Sequence, residues 1–250
     1  MIRSDKDVLI ILPAYNEEGS IRQVLERLSE PDISGFSDVL VINDASGDST
    51  GDIVRESSKG LVNHIFNMGY GSALQIGYKY AVRKNYSYVI QMDADGQHDA
   101  SNVLKIYQKL REKDADGKYP DIVLGSRYME GSSPFPVSGV KMFAVKLFRG
   151  IIRLLTGKKL HDPTTGLQGL SGDAFYYYSQ FNHFDETYPD ANMILQMLLL
   201  GYKVVEIPAV MYQRETGKSM HSGLKPVWYM IYLIYDLCAV VFYYKILKKR

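Results

Sequence analysis

Apolar residues in the first half of the chain fall into short continuous runs, each closed by a polar, glycine-bearing loop. Val8 to Leu12 is the first run, bounded by Pro13, and its continuity predicts a strand buried on both faces. Ile21, Val24, Leu25 and Leu28 then recur at helical spacing. Val39 to Ile42 predicts a second strand, and Ser49 or Asp48 is placed to cap a helix running through Ile53 and Val54. Val62 to Phe66 predicts a third strand, followed by NMGYGSALQIGYKYAV, whose small residues allow close backbone approach. Tyr88 to Met92 predicts a fourth strand, Val103 to Leu110 a helix, and Ile122 to Leu124 a fifth strand.

Strands alternating with helices through short loops predict an α/β fold, with a mainly parallel sheet, right-handed crossovers and flanking helices. In such open sheets ligands bind beyond the carboxyl ends of the strands. PAYNEE, NDASGD, NMGYG and DADGQ all fall at those ends.

The second half has a different pattern. Ser126 to Gly139 is rich in Gly, Pro and Ser and reads as a linker out of the first half. Val140 to Leu155 predicts a helix with two unlike faces, with Lys141, Lys146, Arg149 and Arg153 on one arc and Phe143, Leu147, Ile151 and Leu154 across from it. Such a helix suits an anionic membrane surface or a core with a solvated basic face. Asp190 precedes an apolar helix and is placed as its N-cap, and a strand follows Gly201. The tail, Pro226 to Tyr244, is nineteen residues, almost all apolar or aromatic, interrupted by Asp236 and followed by KILKKR. Its length could span a bilayer, but an Asp near the centre costs about 2.5 to 3.5 kcal/mol on insertion scales. An interfacial helix suits it better, and an oligomer interface is the competing reading.

The candidate chemistry is concentrated in VIQMDADGQHD, where a buried strand delivers carboxylates to the sheet edge. Asp93 and Asp95 lie two residues apart and can reach one point, and their oxygens, with the Gln97 amide oxygen, suit Mg2+ or Mn2+. An acidic turn is the competing reading of this stretch alone. No G-x-G-x-x-G follows the first strand and no P-loop motif occurs, which disfavours both of those phosphate sites.

Composition narrows the classes further. Lys and Arg number 29 against 28 Asp and Glu in 250 residues, so bulk attraction to nucleic acid is not expected. One cysteine, Cys238, excludes an internal disulfide framework, and the charged start carries no signal peptide, which together predict a cytoplasmic location. Twenty tyrosines, many in the second half, fit surfaces that are apolar at one end and wet at the other.

PAYNEE, VINDASGDST, NMGYGSALQIG and MDADGQH, in this order and spacing, resemble the family 2 glycosyltransferases of GT-A fold, and among them the dolichyl- or polyprenyl-phosphate sugar synthases. The likeness covers about residues 5 to 220 and implies a GT-A domain over 1–220. Its halves would be a nucleotide-sugar half (1–125) and an acceptor half (126–220), followed by a membrane-associating or oligomerising helix over 221–250. By the same resemblance Pro13, Ala14, Tyr15 and Glu17 border the nucleoside and Asp44 contacts the base. Asp93, Ala94 and Asp95 meet the nucleotide-sugar, and Asp93, Asp95 and Gln97 hold the metal. Asn43 stands where the family often has a first Asp.

HDPTTGLQGLSGDAF resembles the acceptor-side loop, with Asp162 as a candidate catalytic residue. Asp190 stands where the family often has its general base. Relatives often carry an Arg near Gln168 that meets phosphate; here Arg127, Arg214 or Lys218 are the candidates for that work. YQRETGKSMHSG resembles a mobile loop in which Arg214, Lys218, Ser219 and His221 cover the leaving group. The expected activity is inverting transfer of a sugar from a nucleotide-sugar to polyprenyl phosphate at the cytoplasmic face of the membrane, with a membrane-protein partner or a second copy of the chain as a possible companion. The alternatives are transfer to a hydroxyl of a lipid-linked or capsular glycan, and a non-catalytic nucleotide-sugar scaffold.

Overall fold

A strand that is apolar at every position needs a covering layer on each side, and the computed structural model has both. It describes residues 5–133, 139–213, 232 and 235–247. β1 (Val8–Ala14) is buried throughout, as are all but one residue of β2 (Ser37–Asn43). They pair in parallel with each other and with β3 (Gly60–Asn63) and β4 (Tyr88–Gln91). β5 (Ile122–Ser126) pairs in parallel with β7 (Val204–Pro208), while β6 (Gln168–Ser171) lies antiparallel between β4 and β5. The seven strands make one sheet in the order β3-β2-β1-β4-β6-β5-β7.

Successive side chains of a strand enter opposite layers. Leu9, Ile11, Leu40, Ile42 and Val89 join one core, and Val8, Ile10, Leu12, Val39, Val41 and Ile90 the other. The first core is covered by α4 (Tyr70–Lys84), α6 (Gly139–Thr156), α7 (Gly172–Ser179) and α8 (Ala191–Leu199). The second is covered by α1 (Ile21–Arg27), α2 (Pro31–Ser34), α3 (Thr50–Glu56) and α5 (Ser101–Leu110). β1 and β4 are neighbours, with β2 and β3 continuing on the other side of β1, so the sheet switches direction between β1 and β4. The loops after those two strands flank the crevice where such folds bind ligands.

The pattern misplaces several features. β3 ends at Asn63, and Ile65 and Phe66, predicted inside it, are exposed. The His64 N–H still bonds the Asn43 carbonyl of β2 at 2.9 Å, and the chain bends just after it. The segment taken as an acceptor-side loop contains β6, a strand too short and mixed to show an alternating pattern and formed because neighbours on both sides complete its ladder. Ser126 to Ser133 is no loose linker: Ser132 bonds the Ser126 carbonyl at 2.8 Å, and Ser133 exchanges hydrogen bonds with Met211. Among the described residues one sheet runs through both proposed halves.

The two expected caps fare differently. Asp48 accepts from the Thr50 N–H at 3.0 Å, whereas the Ser49 side chain caps nothing. Asp190 sits at the start of α8, but its side chain makes no cap hydrogen bond.

α6 is helical as predicted, but with a shifted face. Its buried side is Ala144, Val145, Phe148 and Ile152. Phe143 and Leu154 point outward with Lys146 and Arg153, while Arg149 leaves the basic arc and turns its guanidinium onto Tyr128. In the tail, residues 235–241 are helical and run into a π-helical turn, Phe242–Ile246. Leu237 is buried in the core, and the Tyr244 hydroxyl meets that of Tyr177 at 3.0 Å. Among the described residues no helix is long and apolar enough to cross a membrane.

Candidate active site

Three loops at the carboxyl edge are laced together by their own polar groups. Asn16, at φ 56°, accepts from the Gly47 N–H at 2.8 Å and its own N–H meets the Ser46 hydroxyl at 3.0 Å. The Glu17 N–H bonds the Thr50 hydroxyl, and the Ser20 hydroxyl reaches both the Glu17 carboxylate and the Ala94 carbonyl. PAYNEE, the loop after β2 and the loop after β4 therefore form one rigid rim. On it Pro13 and Ala14 are buried, Tyr15 is exposed and Glu17 is half-buried.

Asp44 is 4 % exposed. Its oxygens accept from the Met68 and Gly69 N–H groups, each at 2.8 Å, and one also meets His64 Nδ1 at 2.6 Å. Gly69 has φ 93°, a conformation side-chain-bearing residues avoid, so glycine is needed for this bend. In this arrangement the Asp44 carboxylate shapes the NMGYG loop.

That loop delivers a residue the sequence reading missed. Tyr70, the first residue of α4, donates its hydroxyl to Asp93 Oδ1 at 2.9 Å. The other oxygen of Asp93 lies 3.5 Å from His98 Nε2. Desolvation opposes ionisation of Asp93, but the hydrogen bond and charge of His98, the Tyr70 hydroxyl and the field of Arg127 outweigh it and hold the carboxyl below its usual range. Desolvation and then Asp93 push the Tyr70 hydroxyl well above the usual tyrosine range, so it remains a donor. A Cβ on Gly166 would stand 2.7 Å from Asp93 Oδ2, so the loop before β6 closes directly over this carboxylate. Only the place of Tyr70, straight after N-x-G at a strand end, could have marked it in the sequence.

Asp95 is half-buried and accepts from the Gln97 N–H at 3.1 Å. Gln97 donates its side-chain amide to the Tyr212 carbonyl at 3.3 Å, and Tyr212 N–H returns to the Gln97 carbonyl at 2.7 Å. No group of three His, Cys, Asp or Glu side chains converges as a metal site among the described residues. The donor set nevertheless fits a hard cation of the Mg2+ class, which takes one or two carboxylates and leaves its other positions to phosphate and water. Asp93 and Asp95 are the two carboxylates that could supply them.

The acceptor-side predictions change most. Asp162 is fully buried and clamps Arg127: Nε and Nη2 meet its two oxygens at 2.6 and 2.7 Å, and the Arg127 N–H adds a third bond at 2.9 Å. Arg127 Nη2 also meets the Thr164 carbonyl at 2.8 Å. Desolvation lowers the affinity of Arg127 for its proton, but Asp162 more than restores it. The Asp162 carboxylate is thus the buried counter-ion of Arg127, whose charge it matches in this arrangement. Glu206, also missed, holds the same loop by accepting from the His161 and Asp162 N–H groups at 2.6 and 2.7 Å. Asp190 lies close enough to act electrostatically on both Tyr70 and Arg127, which puts it at this side of the site. Arg214, Lys218, Ser219 and His221 lie outside the described residues.

The loops at the sheet edge thus bring forward Asp93 and Asp95, with Asp190 near enough to act on Tyr70 and Arg127. The family model described as glycosyl transferase family 2 matches residues 9–178, and the chain belongs to that family. It is 30 % identical to an undecaprenyl-phosphate mannosyltransferase of Micrococcus luteus over 86 % of this chain and 88 % of that one. It is 26 % identical to a polyprenol monophosphomannose synthase of Mycolicibacterium smegmatis over 89 % and 83 %. Among solved structures, glucosyl-3-phosphoglycerate synthase of Mycobacterium tuberculosis, crystallised with Mn2+ and UDP-glucose, shares the fold at TM-score 0.63 and 18 % identity, covering 93 % of this chain and 79 % of that one.

Proposed function

We propose that this glycosyltransferase moves a sugar from a nucleotide-sugar to the phosphate of a polyprenyl phosphate, with inversion, on the cytoplasmic face of the membrane. The observation that carries the reading is Asp93, held ionised by Tyr70 and His98 beside Asp95 at the sheet's switch point. The acceptor is argued from the two relatives named above, whose own acceptors are lipid phosphates. The outward face of α6, where Phe143 and Leu154 alternate with Lys146 and Arg153, supports docking on an anionic bilayer.

Asp93 and Asp95 would hold Mg2+ or Mn2+, which supplies charge neutralisation for the departing diphosphate. Tyr70 fixes the Asp93 carboxylate, and Gly166 packs the acceptor-side loop against it. An acceptor oxygen attacks the anomeric carbon as its bond to the diphosphate breaks. A phosphate monoester has its second pKa near ~6, so the acceptor is already an anion at neutral pH and needs positioning, not a base. Asp190 then serves geometry and field. Arg214, Lys218 and Ser219 belong to this proposal as the loop covering the leaving group.

The test is transfer to farnesyl phosphate in detergent from radiolabelled UDP-, GDP- and dTDP-sugars with Mn2+. A charged lipid product with one donor is expected, and Asp93→Asn should lower its rate at least about a hundredfold. No lipid product with any donor, alongside transfer to a hydroxyl-bearing glycan, would sink the acceptor assignment.

A further inference from the structure

Arg127 and Arg149 lie with their guanidinium carbons 5.2 and 5.3 Å from the centroid of one ring, Tyr128. Their hydrogen-bonding edges are in opposite states. The Nε and Nη2 edge of Arg127 is filled side-on by the Asp162 carboxylate. The same edge of Arg149 is shielded from solvent, and among the described residues neither Nε nor Nη2 has a hydrogen-bond partner. A guanidinium does not lose its proton to escape this, so two buried donors stand unpaired beside a charge. Among the described residues, two cations and one carboxylate, that of Asp162, act on the Tyr128 ring.

The position of this edge narrows what fills it. Thr164, which holds Arg127, is two residues from Gly166, and Gly166 abuts Asp93. Through the shared Tyr128 ring Arg149 stands beside Arg127, whose charge reaches Asp93. Its helix, α6, carries the exposed apolar residues Phe143 and Leu154 on another face. The planar Nε–Nη2 fork matches two oxygens of a carboxylate or phosphate, and a phosphate monoester is the anion that the reading above brings here.

We propose that Arg149, backed by the Tyr128 ring, binds the acceptor's phosphate monoester, work for which Arg127 is unavailable because Asp162 already occupies it. This inference rests on the acceptor reading, and its test separates the two. Calorimetry on the full chain in detergent would compare farnesyl phosphate, farnesol and inorganic phosphate. The protein should bind farnesyl phosphate more tightly than either, and Arg149→Met should weaken that binding at least about tenfold. Farnesol binding and the thermal shift given by UDP with Mn2+ should stay unchanged in that variant. Should Arg149→Met fail to fold, Arg149→Lys keeps charge and stem but loses the fork, and a several-fold weakening is expected.

Unchanged farnesyl phosphate affinity in a folded variant would overturn the role of Arg149 and leave the acceptor reading standing. Failure of the unaltered protein to prefer farnesyl phosphate over farnesol would remove the acceptor reading and this inference with it. Equal affinity for inorganic phosphate would overturn the assignment to a lipid headgroup.

Discussion

Asp162 shows how one side chain's role depends on what lies opposite it. Read along the chain, an Asp before Pro-Thr-Thr-Gly is a turn former or an exposed acid. In the fold it has no solvent exposure and takes three hydrogen bonds from Arg127. Removing one partner of a buried pair strands the other charge, at a cost of about 3–5 kcal/mol. Asp162→Asn is therefore expected to lower Tm by roughly ten degrees in a thermal melt, with the size scaling of about 2–4 degrees per kcal/mol. If the melt stayed within about a degree, the pair would not be the buried structural unit described. Asp44 and Tyr70 carry the same lesson: Asp44 was legible as a polar residue at a strand end, whereas its use in holding Met68 and Gly69, so that Tyr70 reaches Asp93, depends on contacts between residues 23 to 25 positions apart along the chain.

Among the elements, the tail helix is tied to the acceptor half by an acid. The Asp236 carboxyl is partly desolvated, shares a hydrogen bond with Asp185 and feels its charge, and these together raise its pKa to about 7. Asp185 is itself held by the Thr187 and Tyr188 N–H groups and by Asn192, and Tyr232 of the tail packs on Tyr188. The folded state thus binds the Asp236 proton more tightly than an unfolded chain, whose Asp titrates near ~3.9. Its contribution to stability is full below that value and is lost as pH rises to about 7. Asp236→Asn should remove this dependence, so the Tm difference between variant and parent should grow in the variant's favour from pH 5 to pH 8. A difference that does not change with pH would exclude the shared proton. The apolar run of the tail was legible, but the burial of its Asp was not, because Asp185 lies on a separate loop.

For the whole molecule, the parallel half of the sheet followed from sequence, since strands buried on both faces cannot hide their apolar continuity. β6 did not, because a four-residue strand takes its hydrogen bonds from β4 and β5 and needs no pattern of its own. α6 joins this scale to function. Its period gave a two-faced helix, yet which arc met the core was decided by where the sheet and α8 stood. The outward set of Phe143, Lys146, Arg153 and Leu154 predicts that Phe143→Glu with Leu154→Glu will reduce co-sedimentation with anionic vesicles several-fold at unchanged Tm. Equal sedimentation would assign membrane contact to another surface.

The sequence alone determined the layered α/β architecture, the edge that carries the chemistry and the family likeness, because hydrophobic period and ordered loop motifs are local and survive without a fold. The tertiary structure alone decided which charges are already spent. Asp162 and Arg127 neutralise each other, Asp44 is turned to its own loop, and Arg149 has an unfilled fork among the described residues. Charge pairing depends on distances of a few ångströms between residues far apart along the chain, and no spacing in the sequence encodes those distances.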